Sequence, residues 1–185
     1  MLKYICQGLG FMGKEYSVVY QVGDQVLYGI HGVCRILELE VRSVDRKKVE
    51  YYVLEPLEQP GASFYVPTQN QAAVAKLRKM MDAAQINALL ASDAVRADAW
   101  IADENQRKLR YRSLINGGDR AALLCMVRTL HRHKQEQTAA GRKFHLCDEN
   151  FLHDAEKLLS AEFSLALQIQ PGEVGTYIKN AMGIE

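Results

Sequence analysis

The chain lacks most of the features that mark a protein as catalytic, metal-bound or membrane-embedded. Its four cysteines, Cys6, Cys34, Cys125 and Cys147, include no Cys-x-x-Cys pair, and thiols in a reducing cytoplasm are the simplest reading. His145-Leu146-Cys147 with His153 is the one compact group of soft ligands. Cys147 joined to His153 would still be two short of the four ligands that structural zinc takes, so no metal and no cofactor is expected. No Gly-x-Ser-x-Gly, phosphate loop or paired-carboxylate constellation appears, and an enzyme is not expected. The competing reading of that class is a thiol enzyme built on Cys147 and His145, which would need a base placed by the fold. No run of about 18 apolar residues exists, so no membrane-spanning helix is expected. The N-terminal apolar stretch is broken by Gln7, Gly8 and Gly10, unlike a signal peptide; a cytoplasmic protein is expected.

What is present divides at Pro67. Before it the signals are those of strands. Gly23-Asp24 marks a turn, Val26, Leu27 and Tyr28 read as a short strand, and Gly29-Ile30-His31-Gly32 is a turn with two glycines for positive φ. From Val33 to Arg42 the alternation has period two, and the mostly apolar face of Val33, Arg35, Leu37, Leu39 and Val41 is expected to point inward. Asp45-Arg46-Lys47-Lys48 connects to a return strand, Val49 to Leu54, rich in β-branched and aromatic residues. Gln59-Pro60-Gly61 turns again, and Ser63 to Val66 is a last strand stopped by Pro67. Four to five short strands with tight turns suggest a small, bent, barrel-like sheet.

After Pro67 the pattern turns helical. Helices are expected over Ala72–Met81, Asp82–Leu90, and Trp100–Ile115, ended by Asn116-Gly117-Gly118. Asp119 caps a helix running to about Thr138. Asp148 is expected to cap a long helix, Glu149–Leu167, with an apolar stripe of Leu152, Ala155, Leu158, Leu159, Phe163 and Ala166. Pro171 opens a last short helix. Ser92–Ala99 reads as a linker or a loose helical turn. The chain is therefore α+β, with a domain of strands at 20–70, a helical domain at 71–185 and an N-terminal extension of uncertain role at 1–19.

The net charge of +1 hides an uneven distribution. Residues 105–143 hold ten Lys and Arg against two Asp and Glu, a block suited to a polyanion. Arg107, Lys108, Arg110 and Arg112 are its densest part and form two adjacent rows on one helix. Arg128 and Arg132 share a face at four-residue spacing, and Arg142 and Lys143 sit in a loop within reach of phosphate. His131 and His133 cannot share one helical face, which points to surface or interhelix packing. Trp100 is the only tryptophan; such a residue serves either as a buried anchor or as a wedge at an unstacked base step.

The order and spacing of Val22-Gly23-Asp24-x-Val26-x-Tyr28, His31-Gly32-Val33, Tyr51-Tyr52-Val53-Leu54 and Val66-Pro67 resemble the CarD/CdnL family of bacterial transcription regulators. The lone tryptophan, the basic helix, the Gly-Asp cap, Val127-Arg128-Thr129-Leu130 and the amphipathic helix from Glu149 extend the likeness over about residues 20–170. The resemblance implies a Tudor-like module docking on the RNA polymerase β subunit through Arg42, Tyr65, Val66 and Pro67. It also implies a helical domain that contacts promoter DNA at the upstream edge of the melted bubble, largely without sequence preference. In that domain Trp100 would be the wedge, with Arg107, Lys108, Arg110, Arg112, Arg128, Arg132, Arg142 and Lys143 as phosphate contacts. This chain departs from the family in three places. Tyr65 stands where some relatives carry a basic contact, Gly29 where many have proline, and the Trp100–Gly118 spacing is about a turn longer and includes Asp103 and Glu104. A monomer that stabilises the open promoter complex is the expectation; a protein-interaction adaptor that does not bind DNA is the alternative.

Overall fold

The computed structural model describes residues 20–96 and 100–184; the N-terminal extension and the end of the expected linker lie outside them. The strands β1 (Gln25–Tyr28), β2 (Val33–Val44), β3 (Lys47–Pro56), β4 (Phe64–Pro67) and β5 (Leu77–Lys79) form one antiparallel sheet of order β4-β3-β2-β1-β5. The edge strands β4 and β5 are not paired with each other, so among the described residues the sheet is open rather than a closed barrel. The expected helix over Ala72–Met81 is reduced to one turn, α1 (Gln71–Val74), before the chain extends into β5. Helix propensity there yields to pairing on the free edge of β1 and to burial of Leu77.

The face of β2 expected to point inward is corrected in part, although Val33 is buried as expected. Cys34 and Ile36 are fully buried, while Arg35 and Leu37 are exposed. A bulge between Ile36 and Glu38 then shifts the parity by one residue. Leu39 and Val41 return to the core side, opposite Tyr52 and Glu50. The β2–β3 hairpin overruns the small core, however, and leaves them 45% and 57% exposed. Asp45 and Arg46 close this hairpin as a two-residue turn, both at positive φ. Gly29 and Gly32 take the positive φ expected of them.

The helical half contains α2 (Ala83–Ala91), α3 (Glu104–Gly117), α4 (Arg120–Ala139), α5 (Leu146–Leu167) and α6 (Pro171–Met182). Asp82, Asp103 and Asp119 are N-caps whose carboxylates accept from backbone N–H groups one turn on. Gly118 ends α3 in the left-handed conformation. Trp100 lies before α3 rather than inside it. Asp148 is not a cap either, because α5 begins two residues before it and His145 holds the cap position. The core of this half joins Ile86, Leu90, Tyr111, Leu124, Leu130, Leu159, Phe163 and Ile178.

Among the described residues, the hydrogen bonds between the two halves gather around the end of β5. Arg78 of β5 donates to the carbonyl oxygens of Gly118 and Gly117 at 2.6 and 2.5 Å. Arg120 donates to the Lys79 carbonyl at 2.6 Å and both its Nε and Nη2 to Glu162 at 2.7 Å. Glu162, 1% exposed, also accepts from the Met81 amide at 2.6 Å.

Candidate functional site

On the outer face of the sheet, after the bulge, Glu38, Glu40 and Arg42 of β2 lie beside Tyr51 and Val53 of β3 and Tyr65 of β4. Arg42 is gripped by Glu40 through two 2.9 Å hydrogen bonds, and its guanidinium lies 3.8 Å from the centroid of the Tyr65 ring. The Glu40 carboxylate beside it holds the Arg42 guanidinium above its ordinary pKa. Tyr65 is 40% exposed and meets Tyr51 edge-on. Arg42 and Tyr65, both named by the family resemblance, form one exposed cation–aromatic pair. Val66 does not join them: it points inward and is 1% exposed. Its backbone is turned toward Tyr52 of β3, since Thr68 donates to Glu50 two residues on, so along β4 it is Tyr65 whose N–H and C=O face away from the sheet.

The basic residues of the helical half divide sharply. Arg107 is a correction to the expected phosphate row. It is 6% exposed, and its Nε and Nη2 bind the buried Asp148 carboxylate at 2.9 and 3.0 Å. Nη1 donates to the carbonyl oxygens of Ile101 and Ala102 at 2.8 and 3.3 Å. The Asp148 carboxylate raises its pKa against the opposing effect of burial. A guanidinium committed in this way has little left to offer a phosphate. Lys108 is offset by Glu104 one turn before it; their contact raises the lysine pKa and lowers that of the glutamate. Arg110, Arg112 and Arg132 are exposed, and Arg128 is half-buried. Arg112 lines a cleft of about 630 Å³ between the halves together with Ile30, His31, Phe64, Cys147 and Asp154. Arg142 and Lys143 are exposed in the loop between α4 and α5.

Trp100 is neither a free wedge nor a fully buried anchor. It is half-buried on the helical core, with its ring stacked on His133 at 3.5 Å and 20° and with the Arg107 guanidinium 4.4 Å from its centroid. Phe144, which follows Arg142 and Lys143 directly, lies 6.3 Å from His133. Trp100, His133, Phe144 and two exposed cations thus gather at one end of the helical half. His131 pairs instead with Glu156 at 2.7 Å.

Sequence reasoning missed the partners of these groups, although a signal was present. Asp148 and Glu162 occupy the buried stripe of α5 with Leu152, Ala155 and Leu159, at alternating steps of four and three. An acid on an apolar stripe calls for a buried cation, and Arg107 and Arg120 are those cations. Among the described residues no group of three or more His, Cys, Asp or Glu could hold a metal ion, and no helix is long and apolar enough to cross a membrane. Burial pushes the Cys34 thiol up to about 11, away from the thiolate form a nucleophile uses.

Residues 20–81 match the family model of the CarD-like/TRCF RID domain. The match spans all five strands, agrees with the CarD-like family that the motifs resemble, and marks a transcription-related, RNA polymerase-interacting domain. The helical half lies beyond the matched residues. No curated protein matches the chain.

Proposed function

We propose, with the CarD-like/TRCF RID domain at residues 20–81 as the premise, that this protein is a non-enzymatic bacterial transcription regulator. It tethers to the RNA polymerase β subunit and stabilises the open promoter complex through contact with the minor groove at the upstream edge of the bubble. The domain match is the observation that carries the tether. The exposed Arg42–Tyr65 pair supports it, because an aromatic and an arginine together on an exposed face suit a protein interface. The concentration of Lys and Arg in residues 105–143 supports the DNA contact, with Arg110, Arg142 and Lys143 among its exposed cations. Such contacts act on the promoter only if they are better in the open state than in the closed one. The tether raises their local concentration there.

A second reading is favoured by one specific observation. Arg107 is buried and Lys108 is offset by Glu104, which leaves the helical half less cationic toward solvent than its sequence. On that reading the chain is an adaptor whose helices bind protein. Two measurements on the full chain separate the readings. Arg42→Ala with Tyr65→Ala is expected to abolish capture of the polymerase β subunit. Trp100→Ala is expected to preserve capture and shorten the lifetime of the open complex. Retained capture in the double variant removes the proposed docking face. An unchanged lifetime in the folded Trp100 variant leaves the adaptor.

A further inference from the structure

Trp100 lies outside any helix or strand, where a large side chain is free among its rotamers unless something packs on it. Two elements pack on it here. The His133 ring of α4 lies nearly parallel to the indole, 3.5 Å away. The Arg107 guanidinium of α3 stands 4.4 Å from the same ring centroid. Arg107 cannot drift, because Asp148 of α5 holds two of its nitrogens while a third holds the carbonyl oxygens of Ile101 and Ala102. One buried cation therefore fixes both the ring and the backbone that leads from it. The stack ends near Phe144, next to exposed Arg142 and Lys143.

We infer that His133 and Arg107 are positioning residues for Trp100. They hold the indole in one orientation in the free protein, beside the Arg142–Lys143 loop, so that melted DNA meets a pre-set aromatic group rather than a mobile one. The purpose of this device rests on the DNA reading; its geometry does not. Ordering one such side chain at the moment of binding weakens association by about two- to tenfold, and the preformed stack removes that loss.

Trp100 is the only tryptophan, so the fluorescence of the full chain reports this ring alone. His133→Ala removes the stacked ring and leaves the Arg107–Asp148 pair intact, and His133→Phe restores an aromatic surface. The alanine variant is expected to emit further to the red and to be quenched more readily by acrylamide, with both changes reversed by phenylalanine. It is also expected to bind a forked duplex with a single-stranded arm about two- to tenfold more weakly than the phenylalanine variant. Unchanged emission and quenching in His133→Ala overturn the inference. So does an unchanged fork affinity in that variant when Trp100→Ala lowers it. If Trp100→Ala leaves fork affinity unchanged, the DNA reading fails by itself, and emission and quenching still decide whether the indole is held.

Discussion

Asp148→Asn tests the central assignment of the helical half, that Arg107 is a structural cation rather than a DNA contact. The substitution keeps the shape of the side chain and removes its charge. Arg107 is then left 6% exposed with two carbonyl acceptors and no counter-ion. Removing one partner of a buried ion pair costs about 3–5 kcal/mol, because the surviving charge stays desolvated. The amide oxygen still accepts one hydrogen bond, which places the expected loss near the lower end, at about 3 kcal/mol. For a chain of this size each kcal/mol moves the melting temperature by about 2–4 °C, so a fall of about 6–12 °C is expected. Urea unfolding followed by Trp100 emission and by circular dichroism measures the loss, and the emission of the native variant should already lie further to the red. Replacing the pair together, Arg107→Met with Asp148→Leu, should recover most of the stability, since apolar groups of similar volume need no counter-charge. A loss below about 1 kcal/mol in Asp148→Asn, the range of exposed pairs, would show that water reaches Arg107 and would return it to the phosphate row.

Three further outcomes follow from the same geometry. Arg110→Gln, Arg142→Gln and Lys143→Gln together should flatten the log–log salt dependence of DNA binding by about 0.9 for each phosphate no longer neutralised. Lys108→Gln should change it less, and an unchanged slope in the triple variant refutes the assignment. Glu162→Gln leaves Arg120 without its carboxylate and should destabilise the chain and broaden its small-angle scattering distance distribution; an unaltered distribution means that the halves are not held through this residue. Burial raises the Cys34 thiol from 9.0 to about 11. The folded state therefore holds this proton more tightly than the unfolded chain, so its stabilising effect is complete below about pH 9 and lost as pH rises toward 11. Cys34→Ala should flatten the fall in melting temperature across that window, and an unchanged alkaline slope would assign the fall to other groups.

Local signals in the sequence were a good guide wherever one residue makes its own case. Asp119, Gly118 and Pro171 mark helix ends by side-chain capping, positive φ and ring geometry, and each stands where its chemistry places it. What escaped depends on partners distant in the chain. Leu77 becomes a strand residue because β1 offers an unpaired edge, which no local propensity encodes. No single face of β2 points inward, because the bulge lets Cys34 and Ile36 face the core before it and Leu39 and Val41 after it. Arg107 belongs by spacing to a cationic row and by contact to Asp148, forty-one residues away. Arg42 and Tyr65, named by resemblance, meet because strand register brings them together on an exposed face. Val66 does not join them, because alternation along β4 turns it inward.

The two acids on the stripe of α5 also explain how the ends of the molecule are related. Asp148 fastens the Trp100 segment through Arg107, and Glu162 fastens the end of the sheet through Met81 and Arg120. Fourteen helical residues at about 1.5 Å each separate them by about 21 Å. A helix of that length, packed on α4 and α6, behaves as a strut with an ion pair at either end. If the sheet holds the polymerase and the Trp100 end meets DNA, α5 fixes the span between the two grips. A stiff span concentrates the second grip only where the geometry allows both at once. A chain built in this way should therefore discriminate between promoter states by distance and orientation, with little need to read bases.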